Sequence, residues 1–191
     1  YIELLQQAAA LLAPEYQLKL QPEPWRRALA GIEQGQVFAI MPPYQNPLER
    51  PFIQPYSVPL FTEEVVAICA EHIDFDALLQ HKQQLIRQPL QLGMNAGYLI
   101  LNPQLQQAAQ QGLIQIWENK STDINILKLL RGRLDCYLND RQSTLWGLQQ
   151  LRQRQPQLPH RVLREAMLVM RRTAHIGYSA DPTGKFAFKQ H

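Results

Sequence analysis

Trp25-Arg26-Arg27-Ala28-Leu29-Ala30-Gly31-Ile32, then Gly35-Gln36-Val37-Phe38-Ala39-Ile40-Met41-Pro42-Pro43-Tyr44-Gln45-Asn46-Pro47-Leu48-Glu49-Arg50, running on to Pro59-Leu60, reads as helix, buried strand, exposed loop and extended return. The run Val37 to Met41 is short and wholly apolar, the pattern of a parallel strand covered on both faces. The loop after it carries Tyr44, Gln45, Asn46 and Arg50. In open α/β sheets ligands bind outside the carboxyl ends of strands, so this loop is the first candidate site.

Outward from that stretch the chain alternates helix and strand. Tyr1 to Leu12 is amphipathic, with Ile2, Leu5, Ala9 and Leu12 on one face, and Ala13-Pro14 ends it. Tyr16 to Leu20 alternates apolar and polar residues and predicts a strand. Pro24 suits the first turn of a helix that buries Trp25, Leu29 and Ile32 and stops near Gly35. Prolines make Pro42 to Pro59 a loop. Glu63 to Glu71 reads as a long strand, Asp76 to Leu85 as a short helix and Leu90 to Met94 as a strand. Asn102-Pro103 starts a helix that reaches Gly112, with Asn as cap and Pro at the first position.

Leu113 to Trp117 is a further strand. Ser121 or Thr122 caps a helix with core face Ile124, Leu127 and Leu130 that ends at Gly132. Strand Leu134 to Leu138 and helix Arg141 to Arg152 follow. Val162 to Met170 fits strand or helix, Ile176 to Ser179 is extended, Ala180 to Lys185 is a turn, and Phe186-Ala187-Phe188 begins another element. The alternation predicts an α/β fold in two lobes, each a mostly parallel sheet with flanking helices. Residues 1–66 with 176–191 form the first lobe, incomplete at both ends, and 67–175 the second. Glu63 to Glu71 crosses between them and Ile176 to Ser179 returns, giving two hinge crossings.

Composition narrows the function. The net charge of +3, from 19 basic and 16 acidic residues, is too weak and scattered for a nucleic-acid footprint. Arg26-Arg27 and Arg171-Arg172 read as solvated edges. No apolar run is long enough to span a bilayer. The uncapped helix at Tyr1 suggests an upstream leader, a signal peptide removed or left out. Cys69 and Cys136 lie in apolar strand-like runs, so buried free thiols are expected, with a disulfide as the alternative. The five histidines are dispersed and no Cys/His cluster has metal spacing, so neither metal nor cofactor is expected. No G-x-S-x-G, P-loop or H-E-x-x-H occurs, and the chain is expected not to be an enzyme.

Four segments together resemble the family 3 extracellular solute-binding proteins, the periplasmic receptors of polar amino-acid ABC transporters with the type 2 periplasmic binding protein fold. Tyr1-Ile2-Glu3-Leu4-Leu5 is similar to the family's first helix, and Trp25 to Leu29 with Gly35 to Ile40 to its second helix and following strand. Arg50 with Phe52, Ser57 and Pro59-Leu60 resembles its "T-P-E-R…F-S-x-P-L" segment. Gly132-Arg133-Leu134-Asp135-Cys136-Tyr137-Leu138-Asn139-Asp140 resembles its "G-R-x-D-A-x-x-x-D" strand.

The resemblance implies that Arg50 grips a ligand carboxylate through two parallel charge-assisted hydrogen bonds. It implies that Asp140 holds the ammonium and that Trp25 stacks on the ligand side chain, the lobes closing over the solute. Tyr44 and Gln45 after one strand, and Tyr98 and Leu99 after another, would line the site. Pro42, Pro43 and Pro47 replace polar residues of the family pattern, Phe38 replaces an aspartate, and Tyr98-Leu99-Ile100 replaces a Thr/Ser run, which predicts a more apolar and aromatic pocket. A periplasmic monomer serving a membrane permease is implied, with a further strand before the first helix and a helix after Phe188. The same fold also serves as the sensor domain of membrane receptors and, in a few relatives, as a dehydratase, for which Asp140 is the candidate acid/base group. Beside these roles stand plainer ones: Asp140 capping the helix at Arg141, Trp25 as core, Arg50 paired with Glu49 or a loop carbonyl, and Arg133 with Asp135 as a structural pair.

Overall fold

The computed structural model describes residues 2–75, 77 and 88–186. Along the chain the elements are α1 (Ile2–Ala10), α2 (Trp25–Glu33), β1 (Ala39–Ile40), β2 (Ile53–Tyr56), β3 (Phe61–Ala70), β4 (Leu90–Asn95), α3 (Pro103–Gln110), β5 (Ile114–Asn119), α4 (Thr122–Leu130), β6 (Cys136–Asp140), α5 (Arg141–Arg154), β7 (Leu163–Ala174) and β8 (Gly177–Ser179). They divide into two compact units, Tyr1–Leu60 with His175–His191, and Phe61–Ala174. The expected helix over Asp76 to Leu85, Ala77 apart, and the expected element after Phe186 lie outside the described residues.

In the first unit β8 lies between β1 and β2 and pairs antiparallel with both. Ile32, Ile40 and Ile53 form its core, with Trp25, Leu29 and Tyr56 packed around them. Gly35, at φ 66°, turns the chain out of α2, a conformation that costs a glycine nothing sterically. Two expectations are corrected here. Tyr16 to Leu20 forms no strand: its residues are exposed and only its alternation suggested one. The strand expected over Val37 to Met41 is confined to Ala39–Ile40 and is antiparallel, with Val37 exposed, so no parallel ladder forms among the described residues of this unit. The proline-rich return also hides β2, whose Pro55 sits on an edge strand, where a missing N–H is tolerated.

The second unit carries the parallel sheet. Its order is β5-β4-β6-β3-β7, with β4 parallel to β5 and β6, and β3 antiparallel to β6 and β7. Asn102 caps α3, its Oδ1 accepting from the Leu105 amide at 2.9 Å, with Pro103 behind it, and Ser121 caps α4. Val66, Ile68, Ile126, Leu129, Leu130, Leu134, Tyr137, Leu148 and Leu151 form the core between α4, α5 and the sheet. The buried face of α4 is Asn125, Ile126, Leu129 and Leu130. The expected face of Ile124, Leu127 and Leu130 is thus rotated, because a buried asparagine breaks the apolar pattern.

Val162 to Met170 resolves as β7. Val169 and Ala166 have no register partner on β3, since Val65 and Val66 pair with Met170 and Leu168, and Ala67 and Ile68 with Met167 and Glu165. Two bulges shift the period-two pattern twice, which is why periodicity alone could not assign the segment. The free-thiol expectation is overturned: Cys69 and Cys136 form a disulfide, and no free cysteine remains among the described residues. They are register partners on adjacent antiparallel strands, a proximity that a separation of 67 residues conceals.

Close packing in the second unit depends on Gly93. A Cβ there would collide with Leu134 Cδ1 and approach Asn125 Oδ1 at 2.6 Å. Gly93→Ala should therefore lower unfolding stability by about 1–3 kcal/mol, as overpacked cores do, measured by urea denaturation.

Candidate functional site

Arg50 is shaped by the turn that precedes it. The Arg50 amide donates to the Asn46 carbonyl at 3.0 Å and the Ile53 amide to the Arg50 carbonyl at 3.1 Å, closing a compact turn before β2. The side chain folds inward, leaving Arg50 only 7% exposed, and its guanidinium lies 5.6 Å from the centroid of the Trp25 ring at the start of α2. Burial lowers the Arg50 pKa, opposed by the Tyr56 and Glu49 side chains. A cation stripped of water over an aromatic face gains more from an approaching anion than a solvated one. Tyr44 is half-buried and Gln45 exposed on the loop leading to Arg50. The sequence reading missed Tyr56, whose hydroxyl accepts from the Asn46 amide at 3.4 Å and whose ring meets the edge of His175 at 5.9 Å. A tyrosine near the far end of a proline-broken loop gave no signal.

Asp140, Tyr98 and Leu99 belong to the other unit, at the carboxyl ends of β6 and β4. Asp140 is buried and caps α5, its Oδ1 accepting from the Ser143 amide at 2.8 Å, while Thr144 Oγ1 donates to its carbonyl at 2.8 Å. The capping role is thus real, and one carboxylate oxygen is committed to it. Tyr98 has its pKa raised by burial first, with an opposing hydrogen bond to the Asn95 side chain and further upward effects from Glu63 and Asp140. Tyr98 and Asp140 therefore share one electrostatic neighbourhood, with Glu63 on β3 beside them. Leu99 is exposed. Asp135 is structural, its Oδ2 accepting from the Gln91 amide at 2.8 Å.

Beneath these residues runs a buried amide network, also unread in the sequence. Asn125 Nδ2 donates to Asn95 Oδ1 at 2.9 Å, Asn119 Nδ2 to Asn125 Oδ1 at 2.8 Å, and Asn95 Nδ2 to Thr122 Oγ1 at 3.2 Å. The Tyr137 hydroxyl lies 3.1 Å from both Asn95 Oδ1 and Thr122 Oγ1, and burial pushes its pKa up. Asn95 ends β4 and Asn119 ends β5, with Asn125 of α4 between their side chains, so the network fixes where the strands release their loops. The sequence signal was an asparagine closing each apolar run, which reads as well as a turn former. An open groove lined by Thr122, Asp123, Gln142, Ser143, Trp146 and Gly147 lies at the first turns of α4 and α5.

Among the described residues no group of His, Cys, Asp and Glu could hold a metal ion. No described helix is long and apolar enough to cross a membrane.

The fold is the two-lobe α/β fold of periplasmic binding proteins. No protein-family model matches the chain and no curated protein matches it by sequence. Among solved structures, an ancestral arginine-binding protein bound to arginine is similar over 95% of this chain and 74% of its own, at 12% identity and a TM-score of 0.69. The arginine-bound form of truncated ArgBP from T. maritima is similar over 95% and 77%, at 16% identity and a TM-score of 0.64. An ancestral amino-acid-binding protein, described as a precursor of cyclohexadienyl dehydratase, is similar over 95% and 71%, at 14% identity and a TM-score of 0.65.

Proposed function

We propose that the chain captures a small amino acid or related carboxylate outside the cytoplasm, as the receptor of an ABC transporter. The observation that carries this reading is Arg50, a guanidinium 7% exposed and held over Trp25. Its fork can take a carboxylate bidentately while the indole holds the guanidinium in place. Asp140, with Tyr98 beside it, supplies the anionic group for the ligand's ammonium. The likeness to arginine- and amino-acid-binding structures supports the class of ligand. The disulfide supports an oxidising compartment, because thiols of cytosolic proteins are usually kept reduced.

A thermal-shift screen over the amino acids and small carboxylates tests the reading, since a ligand bound only by the native state raises the midpoint. At least one should do so; if none does at millimolar concentration, the reading fails. The described precursor of a dehydratase keeps an enzyme in view, and product analysis of the same mixtures checks it. Turnover of any carboxylate would replace the receptor by an enzyme.

Asp140 can be divided into its two tasks. Asparagine caps as well as aspartate, so Asp140→Asn should keep the stability that Asp140→Ala loses, about 1 kcal/mol. Both should weaken binding of the amino acid found by the screen by at least about tenfold, because both remove the charge that meets an ammonium. Calorimetry checks this, and wild-type affinity in Asp140→Asn would reduce the residue to a cap.

A further inference from the structure

The segment after β4 does more than lead into α3. It leaves the sheet at Asn95, where the Ala96 amide donates to the Asn119 carbonyl at 2.8 Å and the Tyr98 amide to the Asn95 carbonyl at 3.1 Å. It ends at Asn102, whose Nδ2 donates to the Val169 carbonyl of β7 at 3.3 Å. In the order β5-β4-β6-β3-β7, both β6 and β3 stand between these anchors. Residues 96–101 therefore bridge the edge where β6 ends at Asp140 and β3 carries Glu63. The influence of both carboxylates on Tyr98 agrees with that course. Ile100 is 1% exposed and pins the middle of the bridge, while Leu99 is 44% exposed.

The far anchor has a specific chemistry. Val169 is the extra residue of a β7 bulge, between Leu168 and Met170, which pair with Val66 and Val65. Bulges re-aim a strand locally, and here one presents a carbonyl that a side chain takes up. Asn102 meets it with the amide nitrogen while its oxygen caps α3. Of the side chains that cap helices, only asparagine offers an acceptor oxygen together with amide donors on the same planar group. We propose that Asn102 is a positioning residue, clamping the Gly97–Leu101 segment to the β7 bulge and so fixing Tyr98 and Leu99 at the candidate site. Its consequence for ligands rests on the amino-acid-binding reading; the clamp itself does not.

Asn102→Asp separates the two bonds. The carboxylate still caps α3, but it cannot donate to Val169. Asn102→Ala loses both bonds. Asn102→Asp should unfold within about 2 °C of the wild type and Asn102→Ala several degrees lower. In both, backbone amides of residues 97–101 should exchange with deuterium at least about fivefold faster, while those of residues 122–130 stay unchanged. Affinity for L-arginine or L-glutamine, whichever the wild type binds, should fall by about two- to tenfold in Asn102→Asp, the effect of one hydrogen bond. Unaltered exchange at 97–101 in Asn102→Asp overturns the clamp, whether or not either probe binds. Faster exchange with unaltered affinity overturns the effect on the site. A wild type that binds no amino acid overturns the binding reading and leaves the clamp to the exchange measurement.

Discussion

Arg50→Ala should abolish ligand binding, lowering affinity by more than about a hundredfold, while Arg154→Ala leaves it unchanged. The contrast follows from environment. Arg154 is 57% exposed at the end of α5, and its bond to Asp123 at 3.0 Å is a surface ion pair of a kind worth at most about 1 kcal/mol. Arg50 is buried against Trp25, and burial has already lowered its pKa. A carboxylate arriving there meets the cation in surroundings of low dielectric, where their attraction is stronger than in water, and removing the cation strands that carboxylate in the same place. Lysine at this position keeps the charge but not the planar fork, so Arg50→Lys should recover only part of the affinity. Titration calorimetry with the amino acid found by thermal shift checks all three variants. An Arg50→Ala affinity within threefold of the wild type, roughly the worth of one ordinary hydrogen bond, would remove Arg50 from the site.

The second large effect concerns stability. The disulfide joins β3 to β6 across 67 residues, closing a loop that contains β4, β5, α3 and α4. A crosslink over a loop of that length should contribute about 4 kcal/mol by restricting the unfolded chain. The double variant Cys69→Ala, Cys136→Ala should accordingly unfold roughly 10 °C lower. A reductant should produce a similar loss only after the protein has been partly unfolded, since both cysteines are fully buried. Calorimetric melting with and without reductant measures both. A midpoint unmoved in the double variant would mean that the antiparallel β3–β6 ladder alone sets the stability of this sheet.

Much of the second unit was legible because its signals are local. Asn102-Pro103 and Ser121 announce helix starts through caps that the structure contains. The apolar runs of β3, β4, β5 and β6 lie within a few residues of their expected places. The first unit was harder to read. Its strands are short, β2 contains Pro55, and the alternation at Tyr16 to Leu20 belongs to an exposed segment. Alternation reports a half-buried strand only when a partner covers one face. The candidate site divides in the same way. Arg50, Trp25 and Asp140 are proposed from the resemblance of their segments to the family 3 solute-binding pattern, whereas Tyr56, Asn95 and Asn125 could not be named, because a polar residue reveals its partner only once distant segments meet.

The sequence alone determined the α/β class and the positions of the capped helices. These follow from hydropathy period and capping chemistry, both carried by neighbours in the chain. Tertiary structure decided the rest: the antiparallel sheet of the first unit, the pairing of Cys69 with Cys136, the stacking of Arg50 on Trp25 and the reach of Asn102 to the bulge at Val169. Each depends on strand register or on a contact between distant segments. Register changes with a single inserted residue, such as Val169 or Ala166, that leaves composition and local pattern almost untouched.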